Sequence, residues 1–189
     1  MTIFPLNSIR MTDIQKQKIT HFFNVLDNNG NGILEKDDFE LVGETMSDII
    51  GLDDNSVVRL ELKLRAHRLF VQIIKDIGKE EAELTLEEWI EFFDRVVLSK
   101  PNDYVNQSAT YLFSLFDQDM DGHIDEREYL DMFKAYGLYM SVAKKAFDLL
   151  DINGDGRISG GELVQAFEDF FMSPDEKAPG NWIFGDWRR

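Results

Sequence analysis

Apolar residues recur through most of this 189-residue chain at the i, i+3, i+4, i+7 spacing of one buried helix face, and short polar stretches containing glycine interrupt the pattern. Thr12 and Gln15 have the spacing of a capping box, and the stripe that follows, Ile19, Phe22, Phe23 and Leu26, leads directly to Asp27. Leu112, Leu115 and Phe116 lead in the same way to Asp117, and Ala143, Ala146, Phe147 and Leu150 to Asp151. A new stripe follows each interruption: Phe39, Val42 and Met46; Trp89, Phe93 and Val96; Tyr129, Met132, Phe133 and Tyr136; Leu163, Phe167, Phe170 and Phe171. A longer helix opens at Ser56, a residue suited to an N-cap, and its predicted stripe runs through Leu60, Leu64, Phe70 and Ile74.

The predicted fold class is therefore all-α: four helix-loop-helix units, with loops opening near Asp27, Ile77, Asp117 and Asp151, in two packed pairs with short β bridges between paired loops. Pro101-Asn102-Asp103 is expected to break the helical pattern and to divide the chain into residues 1–100 and 101–172. Residues 173–189 form a tail that starts with Ser173-Pro174-Asp175 and ends in an apolar cluster, Trp182, Ile183, Phe184 and Trp187, which is expected to dock on the core.

Charge narrows the set of partners. Thirty-six acidic residues against 20 basic ones give a formal net charge of −16, a surface that repels nucleic acid and anionic membranes and attracts cations. There is no cysteine, hence no disulfide framework, thiolate site or cysteine nucleophile. Met1-Thr2-Ile3-Phe4-Pro5 lacks the character of a signal peptide, Thr2 in place of Gly removes a myristoylation signal, and no apolar run suffices for an integral membrane segment. A cytoplasmic location is expected.

The acids are clustered, and their spacing carries chemistry. Ca²⁺ takes six to eight oxygens, and a twelve-residue loop supplies them from positions 1, 3, 5, 7, 9 and 12, with Gly at position 6 for the sharp turn. Between Asp117 and Glu128 these are Asp117, Asp119, Asp121, the carbonyl of His123, Asp125 and Glu128, with Gly122 at the turn. Between Asp151 and Glu162 they are Asp151, Asn153, Asp155, the carbonyl of Arg157, Ser159 acting through a water, and Glu162, with Gly156 at the turn. The first loop offers Asp27, Asn29, Asn31, the carbonyl of Ile33, Glu35 and Asp38, with Gly32 at the turn. Its twelfth residue is one methylene short of bidentate reach, which favours six-coordination and makes Mg²⁺ a competitor there. The second loop, aligned on Glu88, has Ile77, Lys79, Glu81 and Ala82 where ligands and the turn glycine belong, so its expected role is structural, with Leu84 bridging to Leu34 as Ile124 bridges to Ile158. His21, His67 and His123 have no second His or Cys at ligand spacing, and no H-E-x-x-H, P-loop or nucleophile-elbow motif is present, so nothing points to an enzyme.

These four EF-hand units, the degenerate second loop, the long linking helix and Gly180-Asn181-Trp182-Ile183-Phe184-Gly185 resemble the invertebrate sarcoplasmic calcium-binding proteins and calexcitins over nearly the whole length. Asp38 followed by Phe39 is similar to the first loop of calexcitins. The resemblance implies a compact fold of two EF-hand pairs and a cytosolic buffering or signalling role. His21-Phe22-Phe23-Asn24-Val25-Leu26-Asp27 is similar to the first helix of the Ca²⁺-regulated photoproteins, which with the coelenterazine-binding proteins belong to the same broad group. Photoproteins carry a catalytic His in the last helix and end in Pro; here the corresponding residue is Phe167 and the chain ends Trp187-Arg188-Arg189, so light emission is not what the resemblance implies.

Two functional classes stand ahead of a coelenterazine-binding protein or photoprotein. A sensor opens on binding Ca²⁺ to expose a Met-rich groove for a protein target, whereas a buffer barely opens. The stripes here are dominated by 15 Phe, 5 Tyr and 3 Trp, while the 7 Met are scattered and Met120 lies in a loop. Rigid rings specify one packing and Met many, which favours a buffer binding about three Ca²⁺. Monomer and dimer are left open.

Overall fold

Helix α1 (Asp13–Leu26) begins with a reciprocal cap: the Gln15 N–H donates to Thr12 Oγ1 at 3.3 Å and the Thr12 N–H donates to Gln15 Oε1 at 2.9 Å. The computed structural model describes residues 11–80, 82–99 and 101–188, the side chains of Pro101 and Asn102 excepted. Met1-Thr2-Ile3-Phe4-Pro5, Glu81 and Arg189 thus lie outside the described residues.

The order continues with strand β1 (Ile33–Glu35), α2 (Lys36–Ile49), α3 (Val57–Ile77), β2 (Glu83–Thr85) and α4 (Leu86–Phe92), which runs into a π-helical turn (Phe93–Val97). Then come α5 (Pro101–Phe116), β3 (His123–Asp125), α6 (Glu126–Ala135), a 3₁₀ turn (Met140–Val142), α7 (Ala143–Leu150), β4 (Arg157–Ser159), α8 (Gly160–Met172) and a final 3₁₀ turn (Pro179–Trp182). The strands form two antiparallel pairs, with Leu34 opposite Leu84 and Ile124 opposite Ile158, all four fully buried. This is the all-α architecture of EF-hand pairs joined by short β bridges.

Three local expectations need correction. Leu60 and Leu64 do not face the core; α3 buries Leu62, Ala66, Phe70, Ile73 and Ile74 instead. The reason is apolar area: that set holds an aromatic ring and two isoleucines, and its burial outweighs the partly exposed ion pairs by which Glu40, Glu44 and Asp48 of α2 engage Arg59, Lys63 and His67 of α3. Val96 is only half buried and Val97 takes the buried position, because the Leu98 N–H bonds to the Phe93 carbonyl five residues back and the wider turn shifts the register; Phe92, ahead of that turn, is buried at ordinary helical spacing from Trp89. Finally, the helical pattern breaks just ahead of Pro101-Asn102-Asp103 rather than within it. Pro101 opens α5, where a missing N–H leaves no helical bond unmade, and the chain reverses at Leu98–Ser99.

The core is a single aromatic cluster to which the tail contributes. Phe184 is fully buried, stacked on Phe22 of α1 with ring centroids 4.4 Å apart and edge-on to Phe167 and Phe170 of α8 and to Tyr136. Ile183 and Trp187 are buried beside it. Lys18, on the inner face of α1, is fully buried as well, and its Nζ donates to the carbonyls of Asp169 and Ser173 and to Asn181 Oδ1 at 2.7–2.8 Å. One ammonium thereby ties the first helix, the end of the last helix and the tail together.

Candidate metal centres

The loops inherit their shape from the helices on either side. In α6 and α8 the residues at loop positions 9 and 12, Asp125 with Glu128 and Ser159 with Glu162, are also the N-cap and third residue of the outgoing helix, each bonding the other's backbone N–H. A glutamate needed at position 12 is therefore held by the helix start before any cation arrives.

In the third loop Asp117 Oδ1 and Asp119 Oδ1 both accept from the Asp121 N–H at 3.1 Å, and Asp117 Oδ2 accepts from the Gly122 N–H at 3.2 Å. Glu128 closes the ring, taking the Gln118 N–H on Oε1 at 2.8 Å and the Asp125 N–H on Oε2 at 3.0 Å. Carboxylate oxygens of Asp117, Asp119 and Glu128 all lie within 4.8 Å of one another. Ligands placed about 2.3–2.6 Å from one Ca²⁺ stand at such separations, and the donor set is all oxygen, so the residues fit the ion. Burial pushes the Glu128 carboxyl above its ordinary value, and the charges of Asp125 and Asp119 add to this against the bonds from the Asp125 and Gln118 N–H groups.

The fourth loop repeats the arrangement with fewer charges. Asp151 Oδ1 accepts from the Gly154 and Asp155 N–H groups and its Oδ2 from Gly156, while Asn153 Oδ1 accepts from Asp155 and Asp155 Oδ1 from Arg157. Glu162 reaches back over the loop to the N–H groups of Ile152 and Asn153. Burial acts to raise its carboxyl, but the N–H and hydroxyl of Ser159 and the N–H groups of Asn153 and Ile152 outweigh it and hold Glu162 below its ordinary value. Gly122 and Gly156 turn at φ 85° and 83°, a region that glycine enters without penalty. The Arg157 guanidinium reaches across to Asp121 Oδ2 at 3.1 Å, a contact between the paired loops that spacing does not reveal.

The first loop has the same skeleton: Asp27 accepts from Asn31 and Gly32, Asn29 from Asn31, and Asn31 from Ile33. Asp38 is buried and accepts from the Glu35 N–H at 2.8 Å; burial raises its carboxyl, opposed by N–H bonds from Glu35 and Asn28. Among the described residues, three converging carboxylates within 4.8 Å occur only in the third loop.

The second loop holds a cation of its own. Lys79, at position 3, sends its Nζ to the Glu83 carbonyl at 2.8 Å and to Glu88 Oε1 at 2.6 Å, the acceptors that positions 7 and 12 would offer a metal. The Lys79 ammonium accordingly pulls the Glu88 carboxyl below its ordinary value. The signal was in the sequence, a Lys among ligand positions with the twelfth Glu retained, but it reads there only as a loss.

Two tail carbonyls are tied to the hands. The Tyr129 hydroxyl, adjacent to Glu128, donates to the Ile183 carbonyl at 3.2 Å, and His21 Nε2, six residues before Asp27, donates to the Phe184 carbonyl at 2.8 Å. Burial lowers the His21 pKa, which keeps the ring neutral.

Comparison with known proteins follows this geometry. An EF-hand domain-pair profile matches residues 6–39 and 97–136, and an EF-hand domain profile matches 142–172; the loop from Ile77 to Glu88 lies outside both. Calerythrin from Saccharopolyspora erythraea is 27% identical over 164 residues, which span 84% of this chain and 93% of calerythrin. The structure of the coelenterazine-binding protein from Renilla muelleri superposes with a TM-score of 0.76 at 22% identity, covering 93% of this chain and 99% of that one. The sarcoplasmic calcium-binding protein from amphioxus superposes with a TM-score of 0.72 at 17% identity, covering 93% and 98%. Together the two EF-hand profiles account for more than half of the residues, and the chain belongs to the EF-hand family of calcium-binding proteins.

Proposed function

We propose that this protein is a cytosolic Ca²⁺ buffer of the sarcoplasmic type that binds three ions. They sit in the loops Asp27–Asp38, Asp117–Glu128 and Asp151–Glu162, with Mg²⁺ competing most at the first. Residues 1–100 then form a pair with one working loop, 101–172 a pair with two, and 173–189 a seal between them. The observation that carries the buffer reading is the burial of Ile183 and Phe184 among rings of α1, α6 and α8: the groove that a sensor would offer a target is filled by the chain's own tail. Calorimetric titration of Ca²⁺ with and without Mg²⁺ tests the count, and three sites with one of them Mg²⁺-sensitive is the expected result. Dye binding by exposed apolar surface tests the class. A rise on adding Ca²⁺ would replace the buffer with a calexcitin-like sensor that binds a protein target.

One observation favours a different reading, a carrier of a small aromatic molecule such as the coelenterazine-binding neighbour's name describes. An apolar cavity of about 70 Å³ lies among Phe22, Trp89, Tyr111, Tyr136, Phe167 and Phe184, and the buried Trp89 Nε1–H has no acceptor in it. An engineered apolar cavity about twice that size holds benzene, so a molecule of several rings would have to force the core apart. Equilibrium dialysis against coelenterazine decides, and retention at micromolar concentration would establish the carrier.

A further inference from the structure

The outer face of α3 carries a second apolar stripe. Val57, Leu60, Leu64 and Val71 are 77%, 56%, 41% and 48% exposed, and with His67 they occupy successive a and d positions of a heptad repeat. At 1.5 Å per residue, the 21 residues of α3 make a rod of about 31 Å, three heptads long. Rotation cannot bury this stripe. The ladder from Glu40, Glu44 and Asp48 to Arg59, Lys63 and His67 fixes one side of the helix, and a Cβ on Gly43 of α2 would already stand 3.3 Å from the Leu62 backbone.

We infer that this face is a self-association surface on which a second copy of the chain packs antiparallel, with the two Leu64 side chains on the two-fold axis. The stripe is self-complementary in that arrangement: Val57 of one copy opposes Val71 of the other, and Leu64 opposes Leu64. The flank fits as well. Glu61 and Arg68 lie at successive e positions, and antiparallel helices set e against e, so Glu61 of each copy meets Arg68 of the other. A parallel pair would set Lys63 of one copy against Arg68 of the other, like against like. Around the stripe the charges nearly cancel: Arg59 and Lys63 are paired with Glu40, Glu44 and Asp48 of α2, and Arg65 with Glu61, so in a chain of formal charge −16 two copies meet here with little net repulsion.

The experiment is sedimentation equilibrium of the full chain in Ca²⁺, up to about 100 μM and at two salt concentrations, on the wild type and three variants. The wild type should dimerise, more strongly in higher salt as net repulsion is screened. Leu64→Glu should weaken the dimer at least about tenfold with only a small drop in melting of the monomer, because the side chain is partly exposed. Glu61→Arg alone should weaken it, and Glu61→Arg with Arg68→Glu should restore it. A wild type monomeric at every concentration, a dimer indifferent to Leu64→Glu, or a double reversal that fails to restore pairing overturns the inference. So does a monomer that sediments with phosphatidylserine vesicles through the same residues, which assigns the stripe to a lipid surface. A Leu64→Glu monomer that melts more than about 4 °C below wild type means that the chain covers the stripe itself, and it overturns the inference too.

Discussion

The Nζ of Lys79 lies 2.6 Å from Oε1 of Glu88, a cation and a twelfth-position carboxylate paired inside a loop that has no other claim on a metal. Replacing Lys79 with Met should leave Glu88 and the Glu83 carbonyl without their donor and lower stability by about 0.5–1.5 kcal/mol, with solvent screening part of the effect. Glu88 titrates below its ordinary 4.5 in the fold, so the pair's contribution is present above that value and is lost as pH falls through the folded pKa. The difference in melting temperature between wild type and variant should therefore be constant near neutrality and close in acid, with Ca²⁺ stoichiometry unchanged. A gap that persists in acid would contradict the pairing.

Asp38→Glu restores the missing methylene of the first loop. Bidentate reach should raise the preference of that site for Ca²⁺ over Mg²⁺ by about an order of magnitude, measured by calorimetric competition. Asp38 is buried, so the larger side chain should also lower the stability of the metal-free protein, by about 1–3 kcal/mol. Unchanged Mg²⁺ competition would show that position 12 does not set the selectivity.

Lys18→Met removes three hydrogen bonds at the junction of α1, α8 and the tail, leaving the Asp169 and Ser173 carbonyls and Asn181 Oδ1 without a donor. A loss of about 1–3 kcal/mol follows. Burial, against the nearby charges of Asp169 and Asp175, lowers the Lys18 pKa from 10.5 to about 8. The folded state thus penalises the charged ammonium fully below pH 8, and the penalty fades as pH rises towards 10.5. Wild-type stability should rise relative to the variant across that interval, as read by chemical denaturation at fixed salt; a flat difference would show that Lys18 titrates in the fold as it does in the unfolded chain and that burial does not penalise its charge.

Gly180→Ala tests how closely the tail lies on α8. A Cβ at this position would stand 2.5 Å from the Ala166 Cα and carbonyl oxygen, and neither can move without bending the helix. Melting should drop by about 2–4 °C for each of the 1–3 kcal/mol that such overpacking costs, and dye binding in Ca²⁺ should rise. Unchanged melting would mean that the tail docks elsewhere.

The sequence made the architecture legible where one period admits one answer. Ile19, Phe23 and Leu26, or Ala143, Ala146, Phe147 and Leu150, leave a single face to bury, and the ligand spacing of the loops admits few alternatives. Helix α3 is different. It carries two apolar stripes, Leu62 with Ala66 and Phe70 on one side and Leu60 with Leu64 on the other, and the choice falls to the one that buries the larger apolar area, which spacing alone does not rank. The π-helical turn at Phe93 escaped for a related reason: one extra residue per turn moves the buried position from Val96 to Val97 without changing composition. Lys79, Lys18 and Arg157 read in sequence as solvated charges, and only tertiary contact gives them partners.

The ammonium in the second loop differs from every other loop cation in one respect: it cannot leave. Chelators do not extract it, and its effective concentration never falls, so the Glu88 carboxylate always has its partner. An ion entering the first loop accordingly has no empty neighbour to inform, and its isotherm should be hyperbolic. The third and fourth loops share a strand pair and the Arg157–Asp121 contact, so if both bind as proposed, filling one should alter the other. A single molecule would then answer a Ca²⁺ pulse in two registers, one graded and one steep.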